Sequence, residues 1–179
     1  LVESVVLGFS LAADAVSVSI ACAVRAERVS VAQAATMALT FGLFQGVMPV
    51  IGWVAGSAIA SYVVGVAPYI AAIVFLALGA KMIREGWSGE AEAREWPSLT
   101  ELFALAVATS IDALVVGATL AVTGASITVA APIIALITAA TCALGLAAGR
   151  QLGAGAGPKA GIIGGIMLVL LAFRAVLVR

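Results

Sequence analysis

Long apolar stretches separated by short polar ones dominate this chain. Runs close to the ~20 residues needed to cross a bilayer extend from Val2 to Val24, Val31 to Gly56, Pro68 to Ile83, Leu99 to Val122, Ile127 to Gly149 and Ala160 to Val178. The pattern predicts an all-α polytopic membrane protein with six transmembrane helices. Composition agrees, because 64% of the 179 residues are hydrophobic and 10% charged, more apolar surface than a soluble domain of this length can bury. The mean hydropathy of +1.23 points the same way. The first run resembles a secretory leader in having Ala21-Cys22-Ala23 as a cleavage-like site and Ser19-Ile20-Ala21-Cys22 as a poor lipobox. It lacks a basic start, however, and Asp14 interrupts its apolar centre, so it is expected to be a retained helix.

Charges between the runs predict an orientation. Arg25 and Arg28 follow the first run, Lys81, Arg84 and Arg94 surround the connection after the third, and Arg150 and Lys159 flank the connection after the fifth. The alternate connections, near Ser57 to Ala67 and Thr123 to Ser126, hold no Lys or Arg. The positive-inside rule then places the three basic loops in the cytoplasm and both termini outside, with Arg174 and Arg179 running against it. The longest connection, REGWSGEAEAREWPS, reads as a solvated linker.

That linker separates two related halves. Setting Leu11–Val24 against Thr109–Val122 matches Asp14 with Asp112, Ala15 with Ala113, Val18 with Val116, Ala23 with Ala121 and Val24 with Val122. After a shorter connection, Gly52 and Gly56 match Gly145 and Gly149, and Lys81 matches Arg174. The expected organisation is a first three-helix repeat over 1–89, a cytoplasmic linker over 90–98 and a second repeat over 99–179, integrated in one transmembrane domain. Three is odd, so the second repeat enters the membrane from the opposite side. Inverted repeats of this kind are a common plan for secondary transporters, whose sites lie near the midplane where the halves meet.

Within this frame, the aspartates of LAADAVSV and TSIDALVV need a reason to exist. An ionised carboxylate at a helix centre costs roughly 2.5 to 3.5 kcal/mol on insertion scales. Protonated aspartates bonded to nearby hydroxyls would serve as structural glue. A shared central cavity binding a cation accounts better for two matched acids, since the other acidic residues fall in connections or near helix ends. No Lys or Arg is expected deep enough to pair with them. Helical spacing puts Ser10 and Ser17 on the face of Asp14 and Thr109 on the face of Asp112, while Ser110 points elsewhere in a regular helix. Gln45 stands halfway along the second run, and the repeat sets Thr138 opposite it. The candidate metal-binding set is therefore Asp14, Asp112, Gln45, Thr109, Ser110, Ser17, Ser10 and Thr138.

These donors are oxygens, which suit hard divalent ions such as Mn²⁺, Mg²⁺ or Ca²⁺. The chain has no His, and Cys22 and Cys142 read as small core residues. Gly42/Gly46, Gly52/Gly56, Gly145/Gly149 and Gly161/Gly165 are spaced for close helix packing, and Pro49 for a kink beside Gln45. GAGAGPK, Gly153 to Lys159, fits neither the P-loop spacing nor GxGxxG and reads as a flexible loop.

Taken together, DAVSVSI, FGLFQGVMPVIGW, ALGAKMIREGW, ATSIDALVVG and GGIMLVLLAFR make the chain resemble the MntP-type manganese efflux pumps of bacteria over essentially its whole length. The resemblance implies a six-helix inner-membrane exporter of Mn²⁺, with Asp14 and Asp112 at the family's intramembrane acidic motifs. Two departures stand out: Ala12 where the family usually has Ser, and Gln45 where some members carry Glu. The expected function is secondary-active Mn²⁺ export by exchange with protons. The expected partners are the lipid bilayer, the cation and protons, with no nucleic acid, nucleotide or permanently bound cofactor; the sequence leaves the oligomeric state open. An intramembrane aspartyl protease would need the GxGD and YD contexts, which are absent, so no enzyme is expected. A non-transporting, sporulation-associated relative and an exporter of another small cation or amino acid are the alternatives.

Overall fold

The computed structural model describes residues 2–26, 28–88, 96–156 and 160–177, and among these it is all-helical, with no strand. The elements are α1 (Val2–Arg25), α2 (Val31–Ser88), α3 (Leu99–Thr123), α4 (Ile127–Ala156) and α5 (Ala160–Leu177). Among the described residues, four segments are long and apolar enough to span a bilayer, Ser4–Arg25, Val31–Gly56, Leu99–Ala121 and Ile127–Gly153, and Ile162–Leu177 is a shorter apolar helix. The chain is thus a multi-pass membrane protein.

Polar residues set the helix starts. Before α2, the Ser30 N–H donates to Gln33 Oε1 (2.9 Å) and the Gln33 N–H to Ser30 Oγ (3.1 Å), a reciprocal capping box. Ser98 and Glu101 repeat the device at α3, satisfying amide groups that the first helical turn leaves open. Gly124, in the left-handed conformation at φ 71°, ends α3.

One residue divides α2 into two arms. Gly56 adopts φ 69° and ψ −169°, a region open essentially to glycine alone. Phe44 meets Phe103 edge-on at 5.0 Å between ring centroids, and Gly52 lies against Leu114 and Ala118. The first arm, Val31–Gly56, therefore runs along α3 in the same direction. Lys81 reaches Glu101 at the start of α3, so the second arm, 57–88, runs back.

Two expectations about connections change here. The stretch Ser57 to Ala67, expected as a loop, is helical: it contains no proline, and the reversal at Gly56 removes the need for a longer turn. Pro49 stays within the first arm, so the break falls seven residues beyond the expected kink. Likewise α4 continues through Ala156, into the segment expected to be a flexible loop. The rest of that segment, 157–159, and the linker centre, 89–95, lie outside the described residues.

Glycines decide how closely the helices approach. A Cβ on Gly52 would stand 1.9 Å from the Leu114 carbonyl oxygen, and one on Gly117 would stand 2.0 Å from that of Pro49. The first arm of α2 and α3 therefore touch backbone to backbone. α4 approaches α1 through matching positions, with Gly145 against Val16 and Gly149 against Ile20. The Ser19 side chain also meets Cys142, the pair that matches Gly117 and Pro49 in the other helix pair. Around these contacts lies a core that includes Val18, Met37, Phe41, Leu105 and Leu168.

Candidate cation site between the aspartate helices

Asp14 and Asp112 sit near the middles of α1 and α3, and both line one cavity of about 560 Å³. Thr109 and Arg174 join them, and Pro68, Phe75 and Ile111 contribute an apolar wall. The second arm of α2 thus closes one side, and α5 brings Arg174 in from the far end of the chain.

Helical spacing accounts for Thr109, three residues before Asp112 on the same face. Its hydroxyl donates to the carbonyls of Leu105 (3.0 Å) and Ala106 (3.2 Å), which fixes the rotamer and leaves oxygen lone pairs available. Asp112 Oδ1 accepts the Ala113 N–H at 2.8 Å. Asp14 Oδ1 accepts from the Arg174 guanidinium in a direct ion pair.

That ion pair corrects the expectation that no Lys or Arg lies deep enough to partner the aspartates. Arg174 is separated from Asp14 by 160 positions. It reaches inward because α5 packs beside α1 and the second arm of α2, with Gly164 against Ala21 and Gly165 against Gly79. Its only signal in the sequence was a charge that fits neither the apolar run around it nor the predicted orientation.

The remaining candidates are not gathered in this cavity. Ser17 Oγ donates to the Ala13 carbonyl (2.8 Å) and Ser110 Oγ to that of Val107 (3.2 Å), each satisfied within its own helix. Ser10 is exposed. Gln45 is buried, donating through Nε2 to the Leu11 carbonyl at 2.8 Å. Thr138 is buried too, and neither Gln45 Oε1 nor Thr138 Oγ1 has a hydrogen-bond partner. The site's own donors are therefore two carboxylates and one hydroxyl. Among the described residues, no group of three or more His, Cys, Asp or Glu assembles anywhere. Two carboxylates and a hydroxyl are oxygen donors of the kind that could hold a hard cation.

Comparison with known proteins gives this geometry its context. A family profile described as "Putative manganese efflux pump" matches residues 28–176. The chain belongs to the MntP family. A relative from Methanosphaera stadtmanae, named a putative manganese efflux pump, is 37% identical over 174 residues, covering 97% of both chains. Relatives with the same name from Methanobrevibacter smithii and Rippkaea orientalis are 38% and 39% identical, covering 99% and 94% of this chain and 97% and 91% of their own. No solved structure matches the chain. The MntP match covers both aspartate-bearing halves only in part, since it begins after α1, whereas the three relatives extend over Asp14 as well as Asp112 in length.

Proposed function

We propose that this MntP-family protein exports Mn²⁺ across the bacterial inner membrane as a secondary-active transporter, exchanging it for protons at a site formed by Asp14 and Asp112. The observation that carries this reading is that the two aspartates, from different halves of the chain, line one cavity together with the Thr109 hydroxyl. Two carboxylates match the charge of one divalent cation, and oxygen donors match its hardness.

Six membrane-spanning segments in two inverted three-helix repeats, 1–89 and 99–179, are the architecture we infer. Support comes from the packing: Gly52 on Leu114 in one pair of helices has its sequence-matched counterpart in Gly145 on Val16 in the other. The second arm of α2 and α5 would be the third span of each repeat. The proposed orientation has both termini outside. Gly153 lies against Val24, and Met82 meets Gly164 beside Ala21, so Arg25, Lys81 and Arg150 gather towards one end of the bundle. The pairing of Arg174 with Asp14 explains why that residue runs against the positive-inside pattern: its charge faces a carboxylate within the bundle.

Proton exchange follows from electrical cost. Moving a divalent ion out against an interior-negative potential costs about 4.6 kcal/mol per 100 mV, twice the single-charge value, and inward movement of two protons cancels it. Metal binding to carboxylates competes with protonation, so one site can carry either cargo. The test is Mn²⁺ flux in proteoliposomes compared with Mg²⁺, Ca²⁺ and Cd²⁺, with an imposed pH gradient and the potential clamped at zero. Mn²⁺ flux driven by the gradient with proton counterflow is expected. Flux indifferent to the gradient would leave passive passage, and no flux of any cation would leave a non-transporting membrane protein.

A further inference from the structure

Among the described residues that line the cavity, Arg174 is the charged one that the proposed exchange leaves unused. It emerges from an apolar helix, where a charged side chain is costly unless it is paired or hydrated. The pair with Asp14 is not locked into the core, because the side chains of Arg174 and Asp14 are 52% and 31% exposed. Both line the cavity, so the guanidinium can leave the carboxylate without breaking helix packing. It contacts Asp14 Oδ1, and so takes up one of the two oxygens and the charge that this carboxylate would offer a cation.

Charge decides what can replace it. With Arg174 on Asp14, the cavity offers an incoming ion one uncompensated carboxylate. A monovalent cation gains little there and, carrying the same charge as the guanidinium, has no advantage in displacing it. A divalent cation gains from both carboxylates once Arg174 has moved aside. We propose that Arg174 is a tethered counter-cation: it occupies Asp14 when the site holds no metal, must be displaced by the transported ion, and so selects divalent over monovalent cations. This rests on the reading of Asp14 and Asp112 as the transport site.

The test is Mn²⁺ titration calorimetry on the purified full-length protein, comparing wild type with Arg174→Gln, Arg174→Lys, Asp14→Asn and Asp112→Asn. Arg174→Gln should bind Mn²⁺ at least about tenfold tighter, the equivalent of about 1.4 kcal/mol, whereas Arg174→Lys stays near wild type. Na⁺ should compete with Mn²⁺ in Arg174→Gln and not in wild type. Equal or weaker Mn²⁺ binding by Arg174→Gln would overturn the proposal and make Arg174 a structural prop for Asp14. If both aspartate variants bind Mn²⁺ like wild type, the transport-site reading itself fails; if they lose binding while Arg174→Gln is unchanged, only the role of Arg174 fails. A second measurement needs no variant. Arginine-directed labelling with phenylglyoxal, read at Arg174 by mass spectrometry, should increase when Mn²⁺ is added to wild type, and protection by Mn²⁺ would contradict displacement.

Discussion

Lys81 and Arg174 hold matching places in the two halves, yet their partners differ in kind. Lys81 Nζ meets Glu101 Oε1 at 2.5 Å, and Glu101 is itself held by the Ser98 capping box at the start of α3. Arg174 meets Asp14, deep along α1 and inside the cavity. Exposure does not distinguish the cations, whose side chains are 44% and 52% exposed. Anchorage does. Glu101 has backbone and hydroxyl donors that hold it whether or not Lys81 is present, so that pair is a fixture joining two helix ends. Asp14 is compensated by a half-exposed guanidinium and by no capping group, an arrangement suited to exchange. Of these two matched cations, one joins helix ends and the other lies beside the proposed site.

The largest expected effects break this comparison at the carboxylates. Asp14→Asn and Asp112→Asn keep shape but remove charge, and each should reduce Mn²⁺ flux in proteoliposomes at least about 100-fold, roughly 3 kcal/mol of lost interaction with a charged group. Glu101→Gln should leave flux within about twofold, since less than 0.5 kcal/mol is then at stake. Full transport by either aspartate variant would remove the distinction between the two pairs. Normal amounts of folded protein in the membrane, checked by size exclusion, are part of the expectation.

A second comparison concerns the two matching helix pairs, the first arm of α2 on α3 and α4 on α1. Gly52→Ala would push a methyl group to 1.9 Å from a backbone oxygen that cannot swing aside, whereas in Gly145→Ala the nearest atom, the Val16 oxygen, is 3.1 Å away. Overpacking of the first kind should cost about 1 to 3 kcal/mol or more, and the second under ~1.5 kcal/mol. Thermal unfolding midpoints in detergent should therefore fall clearly for Gly52→Ala and little for Gly145→Ala. Equal losses would mean that the two helix pairs pack with equal tightness.

The parts of this molecule that could be read from sequence are those governed by local rules. Apolar runs mark bilayer-length helices because lipid offers no partner for open backbone, and Thr109 falls beside Asp112 because three residues make nearly one helical turn. That Asp14 and Asp112 line one cavity agrees with the expectation drawn from their matching sequence contexts. Contacts set by how helices cross were hidden. Nothing local announces that α5 will deliver Arg174 to α1, or that the second-arm residues Pro68 and Phe75 will wall the cavity. Gln45 and Thr138 are buried where the first arm of α2 meets α4, outside the cavity of Asp14 and Asp112, with Gln45 Oε1 and Thr138 Oγ1 unpartnered. Ser57 to Ala67 falls between two apolar runs, which suggested a loop, while a single glycine with positive φ turns the chain in one step.

The smallest effect expected is at the Lys81–Glu101 pair, and it sharpens the contrast most cleanly. Glu101→Gln keeps the capping role, because glutamine at the third helical position can also accept the Ser98 amide, so the substitution isolates charge. Lys81→Met removes the other partner while keeping an apolar stem of similar length. Both groups are partly exposed, which screens their attraction, so a double-mutant cycle on thermal unfolding should return a coupling of only about 0.2 to 1 kcal/mol. Ser98→Ala, which strips the cap itself, should cost more, about 0.5 to 2 kcal/mol. Mn²⁺ affinity should remain at the wild-type value in Lys81→Met, while it rises in Arg174→Gln. If Lys81→Met tightens Mn²⁺ binding as much as Arg174→Gln, the effect belongs to the overall field of the bundle, and direct competition for Asp14 is excluded as its cause.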